Sequence, residues 1–220
     1  MKYRLSPYAS LWRCFLIPTI NHRPSYPLSR SAVRCYNTLS MKEEHIYTRG
    51  GDEGQAGLFL GGRVSKADPR IEASGALDEA VSVMGLARSL SQDQRISELL
   101  AALQKRLLAL CSEVLVDKRR RQQFLDHHRP LDAEETRQLE ATIDALSGEM
   151  EPVREFVLPG GSAASAALDI ARAVVRRAER RVVAIVEKGL LENAEIVRYL
   201  NRLSDLLFVM ARYEEHSRAH

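Results

Sequence analysis

Cysteine is scarce in this chain: Cys14, Cys35 and Cys111 are the only three in 220 residues. Three cannot build a disulfide framework, and a chain this size needs none to fold, so a reducing compartment is expected. Long apolar runs are missing as well. No stretch of about eighteen apolar residues occurs, which argues against a membrane-spanning helix. The two common nucleotide signatures, G-x-x-x-x-G-K-[ST] and a strand–helix G-x-G-x-x-G, are also absent. Acids are absent from residues 1–40, which carry Lys2, Arg4, Arg13, Arg23, Arg30 and Arg34. The whole chain has a net charge of +3. Removing the +6 of the leader leaves 3 − 6 = −3 for residues 41–220. The main body is therefore no basic nucleic-acid binder.

What is present is first a glycine-rich stretch, YTRGGDEGQAGLF, from Tyr47 to Phe59. It has neither helix nor strand periodicity. Glycines leave amide N–H groups uncovered, and with Thr48 and Arg49 beside them the stretch suits an anion such as phosphate. An ordinary tight loop is the competing reading.

The rest reads as helices. Asp68 to Leu90 opens on Asp-Pro, a start signal. Ser91 to Val116 spaces Ile96, Leu99, Leu100, Leu103, Leu107, Leu110 and Val114 by three and four. Asp117 to Pro130 is charged and aperiodic, hence a surface loop. Leu131 to Leu146 starts behind Asp132 as N-cap. A long helix follows the Pro159-Gly160-Gly161-Ser162 turn and runs to about Lys188, closed by Gly189. The last runs from about Asn193 to Ser217. Five helices with few strand signals and no internal repeat predict an all-α bundle.

Two helices carry anomalous polar groups. Arg172, Arg176, Glu179 and Arg180 share one stripe, with Arg177 and Arg181 adjoining. Such a stripe is either a solvated face laced with ion pairs or a guanidinium cluster facing polyphosphate. In the last helix Asn201, Arg202 and Asp205 interrupt an otherwise apolar segment. They form either a buried structural network or a site against the Arg helix.

Three blocks, taken together, resemble one family: the glycine-rich loop, GGRVSKADPRIEASGALDE (Gly61 to Glu79), and FVLPGGSAASAALDIARAVVRRAERRVVAI (Phe156 to Ile185) with YLNRLSDLLFVMARY (Tyr199 to Tyr213). That family is the corrinoid adenosyltransferases of the propanediol-utilisation type. The likeness runs from about Ile46 to Tyr213, while Ser91 to Met150 matches only as helix-forming sequence.

The resemblance implies a trimeric, ferritin-like up-down bundle with sites between subunits. It implies transfer of the 5′-deoxyadenosyl group from ATP to the cobalt of cob(I)alamin, with Mg²⁺ accompanying ATP. Thr48, Arg49, Gly50 and Gly51 would wrap ATP, and Lys66 would reach its phosphates. Arg176, Arg177, Glu179 and Arg180 would line the nucleotide, joined by Asn201. Asp78 and Arg172 would form an ion pair between adjacent subunits. Phe156 would sit beneath the corrin ring, with Arg202 and Asp205 near it, and Arg176 and Asp205 would act in the reaction. A cobalamin reductase and an adenosylcobalamin-dependent enzyme are the implied partners; neither nucleic acid nor membrane is.

The match has departures. The family's loop is close to TRTGDKGTT; here it reads TRGGDEGQA, Thr48 to Ala56. Glu53 replaces a lysine, Gly50 and Gln55 replace threonines, and Gly62 stands where Glu is common. The change at Glu53 puts ATP affinity in question more than the fold. A non-catalytic nucleotide- or corrinoid-binding bundle is therefore the alternative. A di-iron bundle would need Glu-x-x-His pairs on facing helices, and no histidine lies in the matching helices.

Residues 1–40 are a basic leader ahead of the domain at 41–220. Four prolines, Pro7, Pro18, Pro24 and Pro27, interrupt any amphipathic helix there. Met41 lies just before the first matching residue, where a compact bacterial form of the domain could begin. A disordered extension and a cytoplasmic protein are expected. An Arg- and Ser-rich transit peptide leading to the mitochondrial matrix is the alternative.

Overall fold

A computed structural model describes residues 47, 49–153 and 155–219. The leader, Met41, Ile46 and Thr48 lie outside the described residues. The described residues are mostly helical, with six α-helices and one small sheet. Strands β1 (Gln55–Gly57) and β2 (Arg63–Ser65) pair antiparallel, with Ala56 opposite Val64. Sequence reading expects no strand here. Three-residue strands are too short to show alternation, and the hairpin is made by its turn instead. Leu60, Gly61 and Gly62 all take positive φ, and Leu58 N–H donates to Gly62 O at 3.0 Å.

The helices are α1 (Pro69–Leu90), α2 (Gln94–Val114), α3 (Arg121–Leu125), α4 (Ala133–Ser147), α5 (Ala163–Glu187) and α6 (Glu195–Ala219). Their starts are chemically marked. Asp68, Asp93 and Asp132 each accept a backbone N–H of the following turn. Ser162 and Ser165 form a reciprocal capping box at the head of α5. The end of α5 follows as directly: Gly189 takes φ 65°, its N–H reaches Val186 O, and Leu190 N–H reaches Ile185 O, a Schellman arrangement.

Helix α1 packs on α2 and α5, α5 on α6, and α6 on α4. They meet in one core that includes Leu77, Met84, Leu100, Leu107, Leu168, Val175, Ile185, Leu200 and Leu203. A second cluster of Leu58, Phe59, Leu60, Leu115, Val116 and Phe124 ties the hairpin to the end of α2. There Phe59 N–H donates to Leu115 O at 3.1 Å.

The segment from Asp117 to Pro130 is not the plain surface loop that its charge suggests. It folds into a 3₁₀ turn (Lys118–Arg120) and α3. Phe124 is 2% exposed, edge-on to Phe59 and stacked on His128. One aromatic in a charged run has no periodicity to betray it, yet it buries enough area to pin the segment. No helix among the described residues is long and apolar enough to cross a membrane.

Candidate active site

The glycine-rich loop is shaped by its own backbone. Arg49 takes φ 55°, with its guanidinium 5.5 Å from the centre of the Tyr47 ring. Gly54 takes φ 72°, its N–H donates to Gly51 O at 3.2 Å, and its carbonyl accepts from Lys66 N–H at 2.8 Å. That last bond brings Lys66 to the loop. A β-carbon added at Gly51 would stand 3.1 Å from Lys66 Nζ and 3.2 Å from its Cε. The lysine side chain thus lies across the bare face of Gly51, and two blocks that are fifteen positions apart form one surface. Arg63, given no role above, fastens the loop by donating to the carbonyls of Gly50 and Gln55. Glu53 is exposed and makes no hydrogen bond or ion pair among the described residues.

The arginines of α5 divide into two sets. Arg177 pairs with Glu79, and Arg181 with Glu72 at 3.0 Å, so these two clip α5 to α1. Arg172 lies 3.4 Å from Asp169, one turn back. Arg176 and Arg180 are exposed and make no hydrogen bond or ion pair among the described residues. Glu179, between them in sequence, does not pair with either. It accepts from Asn201 Nδ2 at 3.2 Å.

That bond begins a network on α6. Asn201 Oδ1 accepts from Arg202 Nη1 at 2.9 Å, and the same nitrogen donates to Asp205 Oδ2 at 2.8 Å. Arg202 Nε donates to Glu140 of α4 at 2.9 Å. The hydrogen bonds to Glu140 and then Asp205 push the Arg202 guanidinium pKa further up. Asn201, Arg202 and Asp205 thus form one hydrogen-bonded chain, partly exposed rather than buried, and Asn201 alone of the three bonds Glu179 of the Arg helix.

Asp78 behaves differently. Its Oδ1 is buried without a hydrogen-bond partner, and burial, followed by the nearby Glu79, raises its pKa. No Asp78–Arg172 pair forms within the chain, since Arg172 turns to Asp169. Phe156 stands apart too. It is fully exposed on the segment between α4 and α5, beside exposed Val157 and Leu158.

Two buried clusters escaped sequence reading. Glu113 is 1% exposed and accepts from Arg121, Leu131 N–H and Asn193, joining the start of α3 to the segments ahead of α4 and α6. Asp169 and Arg212, both 6% exposed, form an ion pair between α5 and α6. The signal for Asp169 was available: an acid inside AALDIARAVV is as anomalous as Asn201 in its helix. No group of three or more His, Cys, Asp or Glu side chains that could hold a metal occurs among the described residues. Cys111 is no candidate nucleophile, because burial pushes its thiol pKa up to about 12.

The described residues thus combine a helical fold, a glycine-rich loop with a lysine laid across it, and two exposed arginines without partners on a long helix. The profile of the cobalamin adenosyltransferase family matches residues 46–214, and the chain belongs to that family. Among curated relatives, the corrinoid adenosyltransferase PduO of Citrobacter freundii is 40% identical over 171 residues. That alignment covers 78% of this chain and 50% of the relative, so the chain spans about half its length. A second corrinoid adenosyltransferase of Citrobacter freundii is 39% identical over 170 residues, 77% of this chain and 94% of the relative. The Bos taurus corrinoid adenosyltransferase MMAB is 39% identical over 174 residues, 78% and 72% respectively. Among solved structures, a variant PduO-type ATP:corrinoid adenosyltransferase from Lactobacillus reuteri complexed with cobalamin and ATP superposes with a TM-score of 0.73. It is 31% identical, over 80% of this chain and 96% of that one. Another variant of that enzyme, complexed with ATP, gives a TM-score of 0.70 at 32% identity, over 79% and 96%.

Proposed function

We propose that this protein is an ATP:cob(I)alamin adenosyltransferase. The cobalt(I) lone pair attacks C5′ of ATP, the C5′–O5′ bond breaks, and triphosphate leaves with the bonding electrons. Cobalt becomes formally Co(III) in the new Co–C bond. The observation that carries this reading is the pair Arg176 and Arg180. Two guanidiniums left free on a helix whose other arginines find carboxylates are held ready for an anion. Family membership and a relative complexed with cobalamin and ATP support the triphosphate of ATP as that anion.

In this reading Thr48, Arg49, Gly50 and Gly51 wrap the nucleotide. Lys66, Arg176 and Arg180 stabilise the charge that grows on the departing triphosphate. Arg177 joins them by leaving or sharing Glu79. Glu179 and Asn201 fix the face of the nucleotide, and Arg202 and Asp205 set the approach of the corrin. Holding the two reactants in line removes up to ~7–11 kcal/mol of barrier, and no general base is needed. Mg²⁺ would come with ATP, held by phosphate oxygens and one or two carboxylates, and would spread negative charge. Glu53 on the glycine loop could serve as one of these carboxylates. Phe156 fills the lower axial face of the corrin. Cob(II)alamin without its lower ligand is easier to reduce.

The assembly that fits is a trimer of ferritin-like up-down bundles with sites between subunits. An Asp78 carboxylate buried without a partner suits an arginine, Arg172, from a neighbouring copy. A cobalamin reductase would supply the electrons, and an adenosylcobalamin-dependent enzyme would take the product, in the cytoplasm or in the mitochondrial matrix. The deciding experiment mixes purified protein with ATP, Mg²⁺ and chemically reduced cobalamin and follows the adenosylcobalamin spectrum. Binding of both compounds without turnover would instead favour a carrier or sensor, the reading that Glu53 motivates.

A further inference from the structure

The segment that bears Phe156 joins α4 to α5, and its described residues from Glu151 to Gly161 are all exposed. Its described residues from Glu151 to Gly161 make no hydrogen bond of their own. Its two feet, however, rest on one turn of α6. At the near foot, Tyr213 Oη donates to Glu149 Oε2 at 3.1 Å, and Arg95 Nη1 donates to the same carboxylate at 2.6 and 2.9 Å. At the far foot, the Glu215 side chain lies directly on Gly161. A β-carbon at Gly161 would meet Glu215 Oε1 at 2.6 Å and its Cδ at 2.7 Å. Only glycine lets the carboxylate come this close to the chain.

Glu215 is itself held. Its Oε2 lies 3.1 Å from Arg212 Nη1, and Arg212 is buried by Phe208 and paired with Asp169. Asp169 in turn lies 3.4 Å from Arg172, one turn before Arg176. Glu215 Oε1 is buried and makes no hydrogen bond. Its charge sits at the head of α5, a 25-residue helix with no acid in its first turn. A helix start favours a nearby negative charge, so α5 draws Glu215 onto the turn.

We infer that the Tyr213–Glu215 turn of α6, braced by Arg212 and Asp169, is the platform that positions the Phe156 segment over the corrinoid. Glu215 and Tyr213 are positioning residues that touch neither substrate. The inference rests on the adenosyltransferase reading and adds to it the device that fixes one substrate's pocket to the arginine helix. It makes a directional statement: loosening the platform harms corrinoid use and leaves ATP binding alone.

The test compares wild type with Glu215→Ala, Glu215→Gln and Tyr213→Phe. Arg212 is left intact, because its removal would strand Asp169 and unfold the core. Chymotrypsin cleavage after Phe156 is measured first, with no ligand present. It should speed up about tenfold in Glu215→Ala while cleavage within α1 and α2 stays unchanged. Glu215→Gln keeps the side chain's shape and an oxygen for Arg212, so it should recover most of the resistance. With substrates, Glu215→Ala should raise the cobalamin KM several-fold and lower the share of bound cob(II)alamin that shows the spectrum of the form without a lower ligand. The ATP Kd from calorimetry should stay within about twofold of wild type. Unchanged cleavage after Phe156 overturns the inference, as does faster cleavage with an unaltered cobalamin KM. Equal losses for ATP and cobalamin overturn it too. A wild type that binds no cobalamin sinks the adenosyltransferase reading and the inference with it.

Discussion

Asn201 Nδ2 donates to Glu179 Oε1 across 3.2 Å, from the last helix to the arginine helix. This bond decides what the arginines on either side of Glu179 can do. A free glutamate at that position could pair with Arg176, one turn back. Turned toward Asn201, it pairs with neither guanidinium, and both are without a partner among the described residues.

Arg176→Ala should therefore cost catalysis and not stability. Arg176 is exposed and holds nothing in place, so the thermal midpoint should move by no more than about a degree. Loss of a charge-assisted contact to phosphate is worth roughly 1.5–3 kcal/mol, or about ten- to a hundredfold in kcat/KM. Steady-state kinetics beside a melting curve checks both halves. Wild-type turnover would remove the arginine stripe from the ATP site.

Arg177 poses the opposite question, because it already has a partner in Glu79. Exposed pairs of this kind contribute about 0–1 kcal/mol, so the clip can open cheaply for a phosphate. Glu79→Gln should then free Arg177 and lower the ATP KM by a few-fold, with a stability loss near the limit of measurement. An unchanged KM with lower stability would make Arg177 a helix clip only.

Asp78 gives a pH signature. Burial, with help from Glu79, raises its pKa above the ordinary 3.8. In an isolated chain this group is most favourable below its unfolded pKa, and its contribution is lost as pH rises through the folded value. Pairing with Arg172 of a second copy reverses the sign, because the ionised form is then the favoured one. Association should strengthen as pH rises through the Asp78 pKa and weaken on acidification. Sedimentation velocity across that range checks this, and Asp78→Asn should flatten the dependence. Arg172→Ala should weaken assembly similarly, and the double mutant should be little worse than either single one. A small remainder from Arg172 is expected, since it also lies beside Asp169. Full additivity would show that Asp78 and Arg172 never meet.

The long helices could be read from sequence through their apolar spacing, and three of them also by a start signal: Asp68, Asp132 and Ser162 cap their helices. The second was expected from Ser91, and its start behind Asp93 is visible only in the structure. The hairpin and α3 could not be read that way. Each depends on a few contacts distant in sequence, such as Phe59 with Leu115 and with Phe124. In the site, residue types and spacings pointed to the two polar helices but not to pairing within them. One stripe of arginines separates into helix clips and free groups only when Glu72 and Glu79 arrive from α1. Asp78 shows the limit of a single chain: its buried Oδ1 finds no partner among the described residues.

Glu53 is the departure from the family pattern that carries the most charge, and its position makes it testable. It is exposed on the glycine loop without a partner among the described residues, so replacing it should not disturb the fold. If it faces the triphosphate, Glu53→Lys removes a repulsion and adds an attraction. At ~6–8 Å with an effective dielectric near ~20, each change amounts to about 2 kcal/mol before screening by salt. After that discount the ATP KM should fall several-fold to about tenfold, and the gain should shrink at high ionic strength. If Glu53 instead helps hold Mg²⁺, the same substitution should raise the Mg²⁺ requirement and slow turnover. ATP titrations of wild type and variant at two Mg²⁺ concentrations separate the cases. A lower KM at both concentrations assigns Glu53 to the phosphates, whereas a loss restored by excess Mg²⁺ assigns it to the ion. No change at either concentration would mean that the side chain faces solvent, and the reversal of charge in this loop would then have no bearing on ATP use.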